Sequence, residues 1–175
     1  MKSRSILVLG GARSGKSRYA ESLALHSGQE KVYLATAEAR DEEMRTRVSD
    51  HKQRRGEDWT TVEAPMDLTK ALHAHARSER AVVVDCLTLW LSNLMLGGGD
   101  TESAGEDLAR LVPDLPGTVI LVSNEVGSGI VPDNELGRRF RDAQGRLNQI
   151  MASACDSVVL VVAGLPMILK GEQPK

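Results

Sequence analysis

Residues Gly10-Gly-Ala-Arg-Ser-Gly-Lys-Ser17 match the phosphate-loop pattern G-x-x-x-x-G-K-S, and the apolar run Ile6-Leu-Val-Leu9 stands directly before them. Such a loop requires a strand to feed it and a helix to follow. Its glycines let successive backbone N–H groups point at phosphate oxygens, Lys16 offsets β/γ charge, and the Ser17 hydroxyl is placed to ligate Mg²⁺. A helix beginning at about Lys16 adds the positive end of its dipole. Its inner face reads as Tyr19, Leu23, Ala20 and Ala24, and Gly28 stops it. The competing reading is a glycine-rich turn that binds nothing. The complete pattern in its strand-turn-helix context argues for nucleotide binding by Gly10, Gly11, Ala12, Arg13, Ser14, Gly15, Lys16 and Ser17.

Five β-rich runs end in loop signals: Ser5 to Leu9, Lys31 to Ala35, Ala81 to Asp85, Thr118 to Ser123 and Ser157 to Ala163. Their continuous Val/Ile/Leu character, without strict alternation, is that of strands buried on both faces of a parallel sheet. Helical segments fall between them, near 16 to 27, 41 to 55, 67 to 77, 87 to 96, 102 to 111 and 134 to 154. Alternating strand and helix gives an α/β fold with right-handed crossovers. The expectation is a three-layer P-loop NTPase (RecA-like) domain with a mostly parallel central sheet, and at 175 residues one catalytic domain spanning 1–175. In such sheets ligands collect beyond the carboxyl ends of the strands.

A formal net charge of −2 gives no electrostatic reason for a nucleic-acid partner. Five aromatic residues, Tyr19, Tyr33, Trp59, Trp90 and Phe140, are too few for base-stacking platforms. Cys86 and Cys155 stand apart, in no CxxC pair and no zinc spacing, which reads as reduced thiols in a cytoplasmic protein. The first strand begins by residue 5, leaving no room for a signal peptide, and no apolar stretch approaches the ~18 residues of a membrane span.

Three further segments carry chemistry. Val82-Val-Val-Asp85 is an apolar strand ending in a carboxylate, placed either to hold Mg²⁺ beside the phosphates or to cap the helix that follows. In the helix expected over 41 to 55, Met44, Val48 and His51 share a face, so His51 continues a buried stripe; read alone it is a core histidine satisfied by a neighbour. Lys52, Gln53, Arg54 and Arg55 follow it, either complementing the helix dipole or clamping a polyphosphate. Asn124-Glu-Val-Gly-Ser-Gly-Ile-Val-Pro132 is a tightly shaped loop at the ligand edge, where Glu125 is a carboxylate for metal or base work or simply an exposed side chain. Beyond it Leu136, Phe140, Ala143, Leu147, Ile150 and Ala154 make one apolar stripe of a long helix.

In this order the chain closely resembles the bifunctional adenosylcobinamide kinase/adenosylcobinamide-phosphate guanylyltransferase family. The resemblance rests on residues 10–17, Tyr33-Leu-Ala-Thr-Ala37, Asp41-x-Glu-Met44, His51-Lys-x-Arg-Arg55 with Trp59, Asp85-Cys-Leu-Thr88, the loop 124–132, and Phe140-Arg-Asp-x-x-Gly-Arg-x-Asn-Gln149. It implies phosphorylation of adenosylcobinamide by ATP or GTP, then attack of a histidine on GTP and passage of GMP to adenosylcobinamide phosphate. The family nucleophile maps onto His51. GTP contacts map onto residues 10–17, Thr36, Ala37, Glu38, Lys52, Gln53, Arg54, Arg55, Glu63 and Asp85, with Mg²⁺ at Ser17 and Asp85. A homo-oligomer, a trimer, is implied as well. The chain departs from some members at Asp50, where they carry a second histidine, and at Glu38, where a small amide or hydroxyl residue also occurs. Two other functions fit the phosphate loop alone: a small-molecule kinase without guanylyl transfer, and a nucleotide-dependent switch or binding module.

Overall fold

The computed structural model describes residues 4–37, 56 and 58–172. The helix expected over 41 to 55 therefore lies outside the described residues. In chain order the elements are β1 (Arg4–Gly10), α1 (Lys16–His26), β2 (Glu30–Ala35), β3 (Trp59–Glu63), α2 (Leu68–His75), β4 (Arg80–Asp85), α3 (Leu87–Leu96), α4 (Thr101–Leu111), a 3-10 turn (Val112–Asp114), β5 (Thr118–Asn124), α5 (Glu135–Ala154), β6 (Ser157–Val162) and β7 (Leu165–Lys170).

The strands form one seven-stranded sheet in the order β3-β2-β4-β5-β1-β6-β7, parallel except for the antiparallel β6–β7 pair. The fold is thus α/β with a mostly parallel sheet. Its central strands are apolar on both faces because both are covered. Leu7, Leu9, Val82, Val84, Val119 and Leu121 pack under Leu68, Leu72, Trp90, Leu91, Leu108, Leu147 and Met151 of α2 to α5. Alternate residues Ile6, Val8, Ala81, Val83, Ile120 and Val122 face Ala20, Leu23 and Ala24 of α1 on the other side. At roughly 1.5–3 kcal/mol for each large apolar side chain buried, these two layers supply most of the driving force for folding.

Both edge strands go beyond the five expected. In β3 only Trp59 is fully buried, so Trp59-Thr-Thr-Val-Glu63 carries no continuous apolar run. In β7 no residue is fully buried; Pro166 sits on this open edge, where a missing N–H does no harm. The strand that precedes it ends at Val162, one residue early, because Ala163 and Gly164 turn the hairpin at φ 52° and 81°. Leu136, expected on the inner stripe of α5, is 50% exposed, and Met151 takes a core place instead. Among the described residues no helix is long and apolar enough to cross a membrane.

Candidate active site

The phosphate loop leaves β1 at Gly10, whose backbone passes too close to its surroundings for a side chain. A Cβ there would stand 2.4 Å from Ser14 Oγ and 2.7 Å from the Val161 carbonyl. Gly15, at φ 98°, supplies the left-handed residue that turns the loop into α1. Gly164 in the β6–β7 hairpin donates to the Ser14 carbonyl at 2.8 Å, so the hairpin clamps the loop from outside.

Lys16 is the second link between loop and chemistry. It is only 8% exposed, and its Nζ donates to the Gly11 carbonyl at 3.0 Å. Burial holds its ammonium below the ordinary lysine value, against the raising influence of Cys86 and Asp85. A cation curled onto its own loop in this way gains most from an arriving polyanion. Ser17, half-buried in the first turn of α1, stands beside it.

Asp85 ends β4. Its Oδ2 accepts the Tyr33 hydroxyl at 3.0 Å, and the Tyr33 ring meets Trp59 edge-on at 6.2 Å. The helix-capping alternative does not hold, because Cys86 occupies the N-cap of α3. Cys86 and Cys155 are free and buried; burial first, and then Asp85, pushes the Cys86 thiol up to about 11. Thr36 is fully buried and spends its hydroxyl on the backbone of Cys86, donating to the carbonyl and accepting the N–H, both at 2.7 Å. Asn93 Nδ2 adds a bond to the Thr36 carbonyl at 2.9 Å. Thr36 thereby ties the exit of β2 to the exit of β4. Ala37 follows half-buried, and Glu63 is exposed at the end of β3, paired in register with Ala35. Glu38, His51, Lys52, Gln53, Arg54 and Arg55 lie outside the described residues.

With this cradle in place, comparison with known proteins is decisive. The model of the family described as cobinamide kinase / cobinamide phosphate guanyltransferase matches residues 6–169. The chain belongs to this family. It is 51% identical over 168 residues to the bifunctional adenosylcobalamin biosynthesis protein CobP of Pseudomonas aeruginosa, covering 95% of this chain and 97% of that one. To the protein CobU of Escherichia coli it is 41% identical over 180 residues, covering 94% and 99%. Solved structures add the fold alone. The flagellar accessory protein FlaH of Methanocaldococcus jannaschii superposes with a TM-score of 0.55 at 14% identity, over 97% of this chain and 79% of FlaH. An ATPase of a bacterial type III secretion system gives 0.56 at 13% identity, over 94% and 56%. The chain is therefore a cobinamide kinase and cobinamide phosphate guanylyltransferase on a RecA-like P-loop fold. Neither the kinase-only function nor the switch accounts for this membership.

Behind the kinase–guanylyltransferase cradle lies a buried polar cluster that joins Asn148 of the 140–149 motif to Ser123 and Gln144. Ser123 Oγ donates to Asn148 Oδ1 at 2.7 Å, and Gln144 Nε2 donates to Ser123 Oγ at 3.0 Å and to Asn148 Oδ1 at 2.9 Å. Asn148 Nδ2 then donates to the Asn124 carbonyl at 3.0 Å, while the Asn124 N–H goes to Thr88 Oγ1 at 2.8 Å. The signal was available in the spacing of Gln144, Asn148 and Met151, which share one helical face at i, i+4 and i+7. Glu125 behaves as part of its own loop: its N–H donates to the Gly10 carbonyl at 3.0 Å, and its Oε1 accepts the Gly127 N–H at 2.7 Å.

Proposed function

We propose that the cradle of residues 10–17 and Asp85 serves both reactions of the family, with His51 acting only in the second. In the kinase reaction ATP or GTP gives its γ-phosphoryl group to the aminopropanol hydroxyl of adenosylcobinamide. In the second, His51 displaces pyrophosphate from the α-phosphorus of GTP, and the GMP passes to adenosylcobinamide phosphate, giving adenosylcobinamide-GDP in the route to adenosylcobalamin. A neutral imidazole near pH 7 is nucleophilic, and its phosphoramidate leaves readily once protonated, so one histidine both accepts and releases the nucleotide.

The observation that carries this reading is the buried, inward-curled Lys16 at the root of the loop. A triphosphate would replace the Gly11 carbonyl as its partner and give the ammonium a full counter-charge. Asp85 and Ser17 suit Mg²⁺, which binds nucleotides through one or two protein oxygens, phosphates and water. When bound there, Mg²⁺ would offset phosphate charge during transfer. Further GTP contacts are proposed at Ala37, Glu38, Glu63 and the run Lys52, Gln53, Arg54 and Arg55, with Thr36 positioning Ala37. We propose in addition that the chain is a single catalytic domain acting in the cytoplasm as a homotrimer, with no nucleic-acid partner.

The test is incubation with GTP and Mg²⁺ in the absence of any cobinamide. Wild-type protein should form a covalent, acid-labile GMP adduct, and His51→Ala should form none while keeping kinase activity. An adduct that persists in the variant, or its absence from wild-type protein with active kinase, removes His51 from this role.

A further inference from the structure

Sheet order places β5 between β4 and β1, that is, between the strand carrying Asp85 and the strand that opens the phosphate loop. Asn124 is the last residue of β5 and pairs in register with Gly10. Ile6, Val8, Ala81, Val83, Ile120 and Val122 all face α1, so the alternation of a strand sets Gly10, Asp85 and Asn124 on that same face. A triphosphate held by Lys16, with its metal at Asp85, would lie across the end of β5.

The backbone of Asn124 is fixed on both sides, by Thr88 and by Asn148, and the next N–H is bonded to Gly10. Its side chain is treated differently. Asn124 Oδ1 is shut from solvent and has no hydrogen-bond partner, an unfavourable state for a buried polar atom. The residue as a whole is only half-buried, and rotation about its soft χ2 torsion would exchange the places of this oxygen and Nδ2. An acceptor needs a donor, and nucleotide phosphates carry none. The kinase reaction brings one: the substrate hydroxyl that attacks the γ-phosphorus. Adduct formation on GTP needs no such hydroxyl.

We infer that the Asn124 side chain accepts a hydrogen bond from the attacking hydroxyl and positions it for the kinase reaction; this rests on the shared cradle proposed above. The hydroxyl oxygen forms the new P–O bond as the bond from the γ-phosphorus to the β,γ-bridging oxygen breaks. The nucleoside diphosphate leaves with that electron pair. The hydroxyl proton passes to solvent water, since a neutral carboxamide orients the hydroxyl but takes no proton.

Asn124→Ala should lower kinase kcat about a hundredfold, the usual consequence of a misplaced nucleophile, and leave the KM for triphosphate and the rate of GMP-adduct formation within about twofold. Asn124→Asp keeps an acceptor oxygen in the same volume and should retain more kinase activity than Asn124→Ala. Unchanged kinase activity in Asn124→Ala overturns the inference. So does equal loss of both reactions in the two variants, which is what a purely structural role would give. If wild-type protein makes no adduct, the shared cradle fails, while the kinase comparison among wild type, Ala and Asp still reads the role of Asn124.

Discussion

Strand β1 is held by polar clusters at both ends, and the two clusters are finished differently. At the amino end Ser5 and Asp156 close on one another. Asp156 Oδ2 accepts the Ser5 N–H and O–H, both at 2.8 Å, and Ser5 Oγ accepts the Asp156 N–H at 3.0 Å. Nearby, Lys170 Nζ donates to the carbonyls of Ala152, Ser153 and Cys155 at 2.7–2.9 Å, completing the carboxyl end of α5. At the carboxyl end of β1, the Ser123–Gln144–Asn148 cluster fixes the backbone of Asn124 yet leaves Ser14 Oγ, Asn124 Oδ1 and Gln144 Oε1 buried without partners. The cluster far from the phosphate loop spends its polar groups on stability. The one beside it fixes a backbone and keeps acceptors in reserve.

The largest test of this contrast removes the centre of the reserved end. Lys16→Ala should lower both kinase activity and adduct formation by about 10³-fold or more, because each reaction loses the cation that meets the developing phosphate charge. Survival of adduct formation in this variant would mean two separate nucleotide sites.

A smaller effect is expected one layer back. Asn148→Ala removes the bond to the Asn124 carbonyl and the acceptor for Ser123 and Gln144. It should cost about 2 kcal/mol of stability, since several buried partners are orphaned together. Kinase activity should fall more than adduct formation, as Asn124 loses its fixed position. Thermal unfolding and the two assays on one preparation measure both. If kinase activity stays at wild-type level while stability falls, the cluster is structural at both ends of β1.

What the sequence revealed follows the same division. Residues 10–17 and Val82-Val-Val-Asp85 were legible because buried parallel strands are continuously apolar and the loop chemistry is local. The edges were not. The single buried residue of β3 and the exposed, proline-bearing β7 lack the apolar run that marks a strand. Thr36 read as a nucleotide contact, and what the sequence could not show is the bond of its hydroxyl to the backbone of Cys86, fifty positions away in the chain. Gln144 and Asn148 carried a signal in their shared helical face, but a polar residue there gains meaning only from its partners in the sheet. His51, the residue on which the family resemblance bears most, lies outside the described residues.

The smallest expected effect belongs to the closed cluster. Burial alone would raise the Asp156 carboxyl, but the Ser5 N–H and hydroxyl, with the charges of Lys170 and Arg4, outweigh it and hold the group below the usual aspartate value. A carboxyl depressed in the folded state adds stability that is present above its unfolded value, about 3.9, and is lost as pH falls through the lower folded value. Asp156 is exposed, so solvent screens the ionic part and the two hydrogen bonds from Ser5 carry most of the effect. Asp156→Ala should therefore cost about 1 kcal/mol at pH 7 while leaving both reactions at wild-type rates. Denaturant unfolding at a series of pH values would follow the difference between wild type and variant, which should narrow only below about pH 4 as the wild-type carboxyl protonates. A difference that does not change down to the acid limit would mean that the packing of Asp156 against Ser5, and not its charge, fastens this end of β1.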